Sequence, residues 1–209
     1  MTVKRKCLYT LSAAAVGITC VTQTQAATIL TDLTTGGTAF ASGGSLFNDG
    51  PVANAFDNNS ATKVGMDINA STTTPAIVGY TFAQSVADTV LSYSLTSAND
   101  DDGRDPRDFT LQGSLDAATW TILDTRSNIL FTDTDGVSGN RFETIFFTVQ
   151  TPGSYSSYRV VTTETRDASW NTFQFAELQL FATVIPEPGT FGLLAASSLL
   201  LLGRRRRSN

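Results

Sequence analysis

The sequence predicts an all-β fold, an antiparallel β-sandwich, and three observations support this prediction. First, the body of the chain contains many short segments in which apolar and polar residues alternate with a period of two. That period is typical of a strand with one buried and one solvated face. Second, polar turns separate these segments. Third, no stretch of the body has the spacing of an amphipathic helix. With 209 residues and 41% hydrophobic content, the chain is long enough for one domain of about 150 residues.

The clearest element is a β-hairpin predicted between residues 104 and 126. Phe109, Leu111 and Gly113 alternate with polar residues, and the same period returns from Trp120 onward. Residues 114–118 supply turn chemistry between the two runs, because Ser and Asp side chains can bond their own backbone. In front of the hairpin, Pro106 lacks a backbone donor, so we expect a loop to lead into the first strand.

Seven strands are predicted along the body on the same grounds. Residues 35–50 are rich in Gly, Ser and Thr and are predicted as a loop, and residues 55–63 are predicted as a polar loop. No repeat with a solenoid period is present. The predicted strands cover residues 76–82, 89–97, 108–114, 120–125, 142–149, 155–163 and 173–182.

The charge distribution argues against nucleic-acid binding. Three basic residues stand at positions 4–6 and four at positions 204–207, and all acidic residues lie between these clusters. The body therefore carries 7 basic against 19 acidic residues, a net charge of −12. Such a surface repels phosphate backbones.

The first 26 residues have the pattern of a secretory signal peptide. Three basic residues precede a mostly apolar run over residues 8–21, and Ala26 offers a small residue for cleavage before Ala27. Both cysteines, Cys7 and Cys20, lie in this segment, and the chain has no histidine. The mature protein is thus expected to lack His/Cys zinc sites, Ser-His-Asp triads and thiol nucleophiles.

The C-terminal segment, residues 184–209, resembles the PEP-CTERM sorting signal. It contains a Pro-Glu-Pro motif, an apolar run over residues 191–202 and a terminal arginine cluster, that is, Pro186, Glu187, Pro188, Arg204, Arg205, Arg206 and Arg207. The resemblance implies transient insertion in the inner membrane of a Gram-negative bacterium, with cleavage by an exosortase. The run is short for a permanent span, which needs about 20 residues. The alternative is a plain C-terminal anchor.

The predicted hairpin resembles the discoidin domain, also called the coagulation factor V/VIII type C domain. The resemblance rests on Arg-Asp-Pro at residues 104–106, Leu-Gln-Gly-Ser at residues 111–114, Trp120 and Leu-Asp-Thr-Arg at residues 123–126. It implies a β jelly roll of the galactose-binding-like superfamily over residues 27–183.

The same resemblance implies a structural Ca²⁺ between an early loop and the last strand. Strict alternation over residues 173–181 places Glu177 on the face of Phe173 and Phe175, and a buried carboxylate must be paired, protonated or metal-bound. The predicted ligands are Asp57, Asn59, Thr62 and Glu177, although Asn58 and Val64 depart from the family's pattern. The alternative is an ordinary turn, with Glu177 displaced to solvent by a bulge. The acidic runs 100–103 and 133–136 lack a first EF-hand ligand, so solvated loops are predicted there.

Discoidin domains bind ligands in loops at one end of the sandwich, often through basic and aromatic side chains. Arg forks can bind hydroxyls or carboxylates, and a Trp in a polar loop can stack on a sugar. The alternatives are that Arg104 and Arg107 pair with Asp105 and Asp108, and that Trp170 caps the core. The predicted ligand-binding residues are Arg104, Arg107, Arg141, Arg166, Trp170 and Asn171.

Three functions follow from these observations. The favoured one is an exported, non-catalytic binding or adhesion module at the cell surface, with carbohydrate or exopolysaccharide as ligand. A second is a structural matrix or biofilm protein without a small ligand. A third is a glycosidase built on two carboxylates, which is disfavoured because no acid/base pair stands out in the sequence.

Overall fold

The computed structural model describes residues 30–68, 75–131, 141–167, 169 and 171–183. Within these ranges the chain folds into thirteen strands joined by loops and three short 3-10 turns. The strands are β1 (Thr38–Ser42), β2 (Ser45–Leu46), β3 (Val64–Asp67), β4 (Ala76–Thr81), β5 (Asp88–Thr89), β6 (Ser92–Thr96), β7 (Pro106–Ser114), β8 (Thr121–Arg126), β9 (Thr144–Thr148), β10 (Ser154–Tyr155), β11 (Ser157–Thr165), β12 (Thr172–Phe175) and β13 (Glu177–Phe181). All of their pairings are antiparallel.

One layer is a five-stranded sheet in the order β1-β4-β11-β7-β8. The opposite layer contains the sheet β13-β6-β9 and the sheet β12-β3-β2, while β5 and β10 form a separate two-stranded ribbon. The long strands β7 and β11 lie at the centre of the five-stranded sheet. Alternate residues of these strands are buried, as expected where one face of a sheet covers a core.

The core fills the space between the two layers. Phe147 of β9 packs edge-on against Phe109 of β7 and stacks on Tyr93 of β6. The Tyr93 hydroxyl also crosses the interior and donates to Asp124 of β8. These contacts join strands from both layers, so the chain is a β-sandwich around one core.

The hairpin predicted from residue 104 to residue 126 is confirmed. Strands β7 and β8 pair from Phe109↔Arg126 to Gly113↔Thr121, and a register shift follows Leu111. Because of that bulge, Leu123 and Asp124 are both buried and Ile122 is exposed. The simple alternation predicted for the second strand therefore ends at the bulge.

The prediction of a loop over residues 35–50 is wrong. Strand β1 occupies residues 38–42 and pairs along its whole length with β4, while β2 pairs with β3. Thr38 and Ser42 lie on the outward face of β1 and only the small side chains of Ala39 and Ala41 pack against the core, so composition concealed the strand. Gly43 then turns the chain at φ +90° against the Pro75 carbonyl, in a conformation that favours glycine.

The predicted last strand, residues 173–182, is divided into two. Strand β12 pairs with β3, whereas β13 pairs with β6, and the chain passes from one sheet to the other at Ala176. The Ala176 N–H still donates to the Thr96 carbonyl. Strict alternation does not continue through this step, because residues 173–178 are all buried.

Candidate functional site

The loop over residues 57–62 folds against Glu177 at the start of β13. The Asn59 N–H donates to Glu177 Oε1 at 2.8 Å and to Asp57 Oδ1 at 2.9 Å. The Thr62 hydroxyl donates to Asp57 Oδ2 at 2.8 Å. The structure thus brings together the four residues predicted as metal ligands, although they are separated by up to 120 positions in the chain.

Glu177 is a buried carboxyl with one unsatisfied oxygen. The residue is 4% exposed, so the prediction that it is buried is confirmed and the alternative of a bulge displacing it to solvent is wrong. Its Oε2 atom makes no hydrogen bond within the described residues. Burial, followed by the neighbouring Asp57 carboxylate, raises the pKa of Glu177 to about 8.

An oxygen-rich cradle of this kind fits a hard cation. A cation at Oε2 would offset the repulsion between the Asp57 and Glu177 carboxylates, and Ca²⁺ accepts amide, hydroxyl and carbonyl oxygens as well. No group of three or more His, Cys, Asp or Glu side chains suited to a metal occurs within the described residues. Neutral oxygens of Asn59, Thr62 and the loop backbone would therefore have to complete the ligand set.

At the adjacent end of the sandwich, Arg141 is held by a buried carboxylate. Its guanidinium donates to both oxygens of Asp105, at 2.6 and 2.9 Å, and to the Ala98 carbonyl at 2.8 Å. Burial raises the pKa of Asp105 to about 6 even with this fork in place. Arg141 therefore anchors the loop before β7 to the start of β9.

The other predicted ligand-binding arginines also contact carboxylates. Arg104 Nη2 lies 3.5 Å from Asp101 Oδ2, and Arg166 Nη1 lies 2.5 Å from Asp102 Oδ2. Arg107 contacts Glu164 and lies 3.4 Å from Asp108, so its predicted pairing with Asp108 is confirmed. Each arginine is partly exposed, and such surface pairs contribute about 1 kcal/mol or less.

Asn171 stands directly before β12 and is exposed. Its carbonyl accepts from the Ile68 N–H at the end of β3, at 2.8 Å. This bond uses only the backbone of Asn171, so its side chain takes no part in it. Together, Arg166 and Asn171 mark the accessible part of this loop surface, which we call the loop end.

Sequence reasoning missed the residues that tie the loop at residues 100–101 to Lys63, just after the 57–62 loop, and to β12. Lys63 forms a 2.7 Å ion pair with Asp100. The buried Gln174 amide donates to the Asp100 carbonyl at 2.7 Å and to the Asp101 carbonyl at 3.2 Å. A buried Gln in an apolar strand was the available signal, because such an amide must find partners.

Several predicted residues and segments lie outside the described residues. These are Trp170, the acidic run 133–136, the signal peptide over residues 1–26 and the sorting-motif residues Pro186, Glu187, Pro188 and Arg204 to Arg207. Among the residues that are described, no helix is long and apolar enough to span a membrane.

Solved structures similar to this chain include family 32 carbohydrate-binding modules. The module of Clostridium perfringens NanJ, in complex with galactose, aligns with a TM-score of 0.54 and 15% identity over 73% of this chain and 99% of that one. A second C. perfringens module, in complex with GalNAc-β-1,3-galactose, aligns with a TM-score of 0.57 and 15% identity over 73% of this chain and 100% of that one. The module of Streptococcus pneumoniae EndoD aligns with a TM-score of 0.53 and 12% identity over 73% of this chain and 100% of that one. These similarities confirm the predicted antiparallel β-sandwich fold.

Sequence comparison adds a local match. A curated relative, the peptide-N(4)-(N-acetyl-β-glucosaminyl)asparagine amidase of Arabidopsis thaliana, is 37% identical over 65 residues. These residues make up 31% of this chain and 8% of that protein. No protein-family model matches the chain.

Proposed function

We propose that the protein is a non-catalytic carbohydrate-binding module. The observation that carries this proposal is the fold, because similar sandwiches include modules solved with galactose and with GalNAc-β-1,3-galactose. A fold alone does not fix a function, so the proposal also rests on the loop end. There, partly exposed guanidinium groups and the Asn171 side chain offer the directional donors that sugar hydroxyls accept.

The binding proposal is tested by screening the purified full chain on an array of neutral and anionic glycans. Retention on one glycan class, weakened by Asn171→Ala and Arg166→Gln, would support a carbohydrate site at the loop end. Thr125→Ala is the matched control, since Thr125 is an exposed strand residue of β8. Failure of the folded protein to bind any glycan would favour a structural matrix protein without a small ligand.

We further propose that Asp57, Asn59, Thr62 and Glu177 hold a structural Ca²⁺. The ion would supply the missing partner of Glu177 Oε2 and fix the 57–62 loop on β13. Because a ligand that binds only the folded state raises the unfolding midpoint, millimolar Ca²⁺ should raise the midpoint above its value in EDTA. Asp57→Asn should abolish this rise, whereas Asp49→Asn, outside the loop, should retain it. An equal midpoint in Ca²⁺ and EDTA would overturn the metal site.

A glycosidase is a weaker candidate because its chemistry needs two accessible carboxylates. Asp57 lies beside Glu177, and the pKa of Glu177 is raised, but Glu177 is buried and the Asn59 N–H donates to one of its oxygens. A substrate would have to displace the loop to reach it. Hydrolysis of any glycan that binds on the array would overturn the non-catalytic assignment.

For the route to the surface, we propose removal of residues 1–26 and exosortase processing at the C-terminal motif. The support is the order of the sequence features: a basic and apolar start, an acidic body, then Pro186-Glu187-Pro188, an apolar run and four arginines. The protein should be expressed in a host that has an exosortase, and the intact mass of the exported product should be measured. This mass should correspond to a chain from which both terminal segments have been removed. A product that keeps residues 189–209 in the membrane would favour the plain anchor.

A further inference from the structure

The outward face of the five-stranded sheet carries an ordered cluster of aromatic and polar side chains. A cross-strand row runs through all five strands in register, from Phe40 to Gly79, Arg159, Gln112 and Ile122. The residues before and after these positions, such as Tyr80, Tyr158 and Leu111, point into the core. The row therefore faces away from the core, because neighbouring residues of a strand point to opposite faces.

Arg159 is the centre of this row and is held in one orientation. Its guanidinium carbon lies 4.0 Å from the centre of the Trp120 ring. The Gln112 Oε1 atom accepts from Arg159 Nε at 2.9 Å and from Nη2 at 2.7 Å. The Gln112 amide is itself oriented by a 3.1 Å bond to Thr110. We name Phe40, Gln112, Trp120, Ile122 and Arg159 the sheet platform.

Among the described residues, the Arg159 guanidinium has no anionic partner. Lys63 and the five other arginines of the described ranges pair with a carboxylate within 4 Å, but Arg159 does not. Its Nη1 atom makes no hydrogen bond there either. Burial lowers the pKa of Arg159, which is the direction expected of a guanidinium that no neighbouring anion stabilises.

The platform is also free of acidic residues, in contrast to the rest of the acidic body. The flanking row Ser42, Ile77, Val161, Thr110 and Thr125, and the row Thr38, Thr81, Ser157 and Ser114, contain no carboxylate. Asp116 contacts the Ser114 hydroxyl, but its carboxylate also accepts two N–H groups of its own loop. An anion approaching Arg159 therefore meets one fixed positive charge and no carboxylate from these neighbouring rows of the described sheet.

The aromatic side chains supply an apolar surface beside that charge. The Phe40 ring covers Gly79, where any Cβ would collide with it, and lies 6.0 Å from the Trp120 ring. Ile122, at the other end of the row, is 57% exposed. Aromatic faces stack on the C–H faces of pyranose rings, and a guanidinium edge binds a carboxylate.

We propose that the sheet platform is a binding site for a carboxylate-bearing sugar, such as a uronate residue of an acidic polysaccharide. The carboxylate contacts the free Arg159 edge, and the sugar ring packs on Trp120 or Phe40. The choice of a saccharide rests on the proposed function. The site itself lies on a sheet face formed by β1, β4, β11, β7 and β8 and uses none of the loop-end residues.

The test is calorimetric titration of the full chain with oligogalacturonate and, as matched control, with its methyl ester, which has the same backbone without the charge. Oligogalacturonate should bind, and the ester should bind at least about tenfold more weakly, since a charge-assisted hydrogen bond is lost. Arg159→Gln should produce the same loss. Arg159→Lys keeps the charge but loses the planar edge, so its affinity should lie between the two.

Each outcome separates this inference from the proposed function. If a neutral glycan binds but oligogalacturonate does not, the sheet platform is overturned and carbohydrate binding stands. If oligogalacturonate binds equally to the wild type and to a folded Arg159→Gln variant, its site lies elsewhere and the inference is again overturned. If oligogalacturonate binding requires Arg159 while the array shows no effect of Arg166 and Asn171 variants, the platform stands and the loop end fails.

Discussion

At the scale of single residues, buried polar groups carry the most information about this protein. Glu177, Asp105 and Asp124 are all nearly inaccessible to solvent. Each carboxylate accepts hydrogen bonds from a different kind of donor. Glu177 accepts from a backbone N–H, Asp105 from a guanidinium group, and Asp124 from both Tyr93 and Arg126. Of these three carboxylates, Glu177 and Asp124 each keep one oxygen without a partner in the described structure. These two sites therefore give the sharpest residue-level predictions.

The first prediction concerns the pH dependence of the metal-free protein. The pKa of Glu177 is about 8 in the folded state and near 4.3 in an unfolded chain. The folded state therefore binds more protons at Glu177 between these values, so the contribution of Glu177 to stability is fully present below about pH 4 and is lost as the pH rises through 8. In EDTA, the unfolding midpoint should be lower at pH 8.5 than at pH 5.

Glu177→Gln isolates this effect from that of Asp105, whose raised pKa acts in the same direction. The variant should lose part of the pH dependence because its amide does not ionise. A pH profile identical to that of the wild type would show that the pKa of Glu177 is not raised in the folded protein.

The second prediction concerns the buried triad of Tyr93, Asp124 and Arg126. Tyr93 and Arg126 both donate to Asp124 Oδ2 at 2.7 Å. Tyr93→Phe removes one donor from a buried carboxylate and should cost about 1–3 kcal/mol of unfolding free energy. Denaturant unfolding measures this change, and Ile122→Ala, at an exposed position of the same strand, should stay within about 0.5 kcal/mol. Equal effects of the two substitutions would contradict the assigned role of the triad.

At the scale of elements, the sequence predicted strands best where alternating runs flank a polar turn. The β7–β8 hairpin was identifiable from the alternation of β7 and the turn residues after it, although the bulge after Leu111 could not be foreseen. The edge strand β1 was missed because its small and polar residues resemble a loop in composition. The division of the last strand at Ala176 was also missed, since burial on both sides of the break conceals the change of sheet.

The third prediction belongs to the turn between β1 and β2. Gly43 has φ +90°, and a Cβ there would collide with the Pro75 carbonyl oxygen. Gly36 also has a positive φ of +71°, but its Cβ would meet no atom within 4 Å. Both Gly→Ala variants incur backbone strain of about 1 kcal/mol, and Gly43→Ala adds a backbone collision.

Thermal unfolding of both variants measures the effect of the collision, as the difference between their unfolding midpoints. Gly43→Ala should lower the midpoint clearly more than Gly36→Ala. Equal shifts would indicate that the β1–β2 turn relaxes freely and that β1 is not fixed against β4 at this end.

At the scale of the whole molecule, the site residues could be predicted only where burial or family resemblance constrained them. Glu177 was accessible to sequence reasoning because a carboxylate in an apolar strand demands an explanation. The Arg159–Trp120 contact was not, because it depends on the register of three strands and on a bulge. Likewise, no spacing rule shows that Arg141 forms an ion pair with Asp105, which lies 36 positions earlier.

We propose that this sandwich binds carbohydrate without cleaving it. The most direct test is the glycan array with the full chain in millimolar Ca²⁺, followed by product analysis of every glycan that is retained. We predict retention of a defined glycan class, reduced by Asn171→Ala and Arg166→Gln, with each bound glycan recovered intact. A folded protein that retains no glycan, or one that releases shortened sugars, would contradict the account.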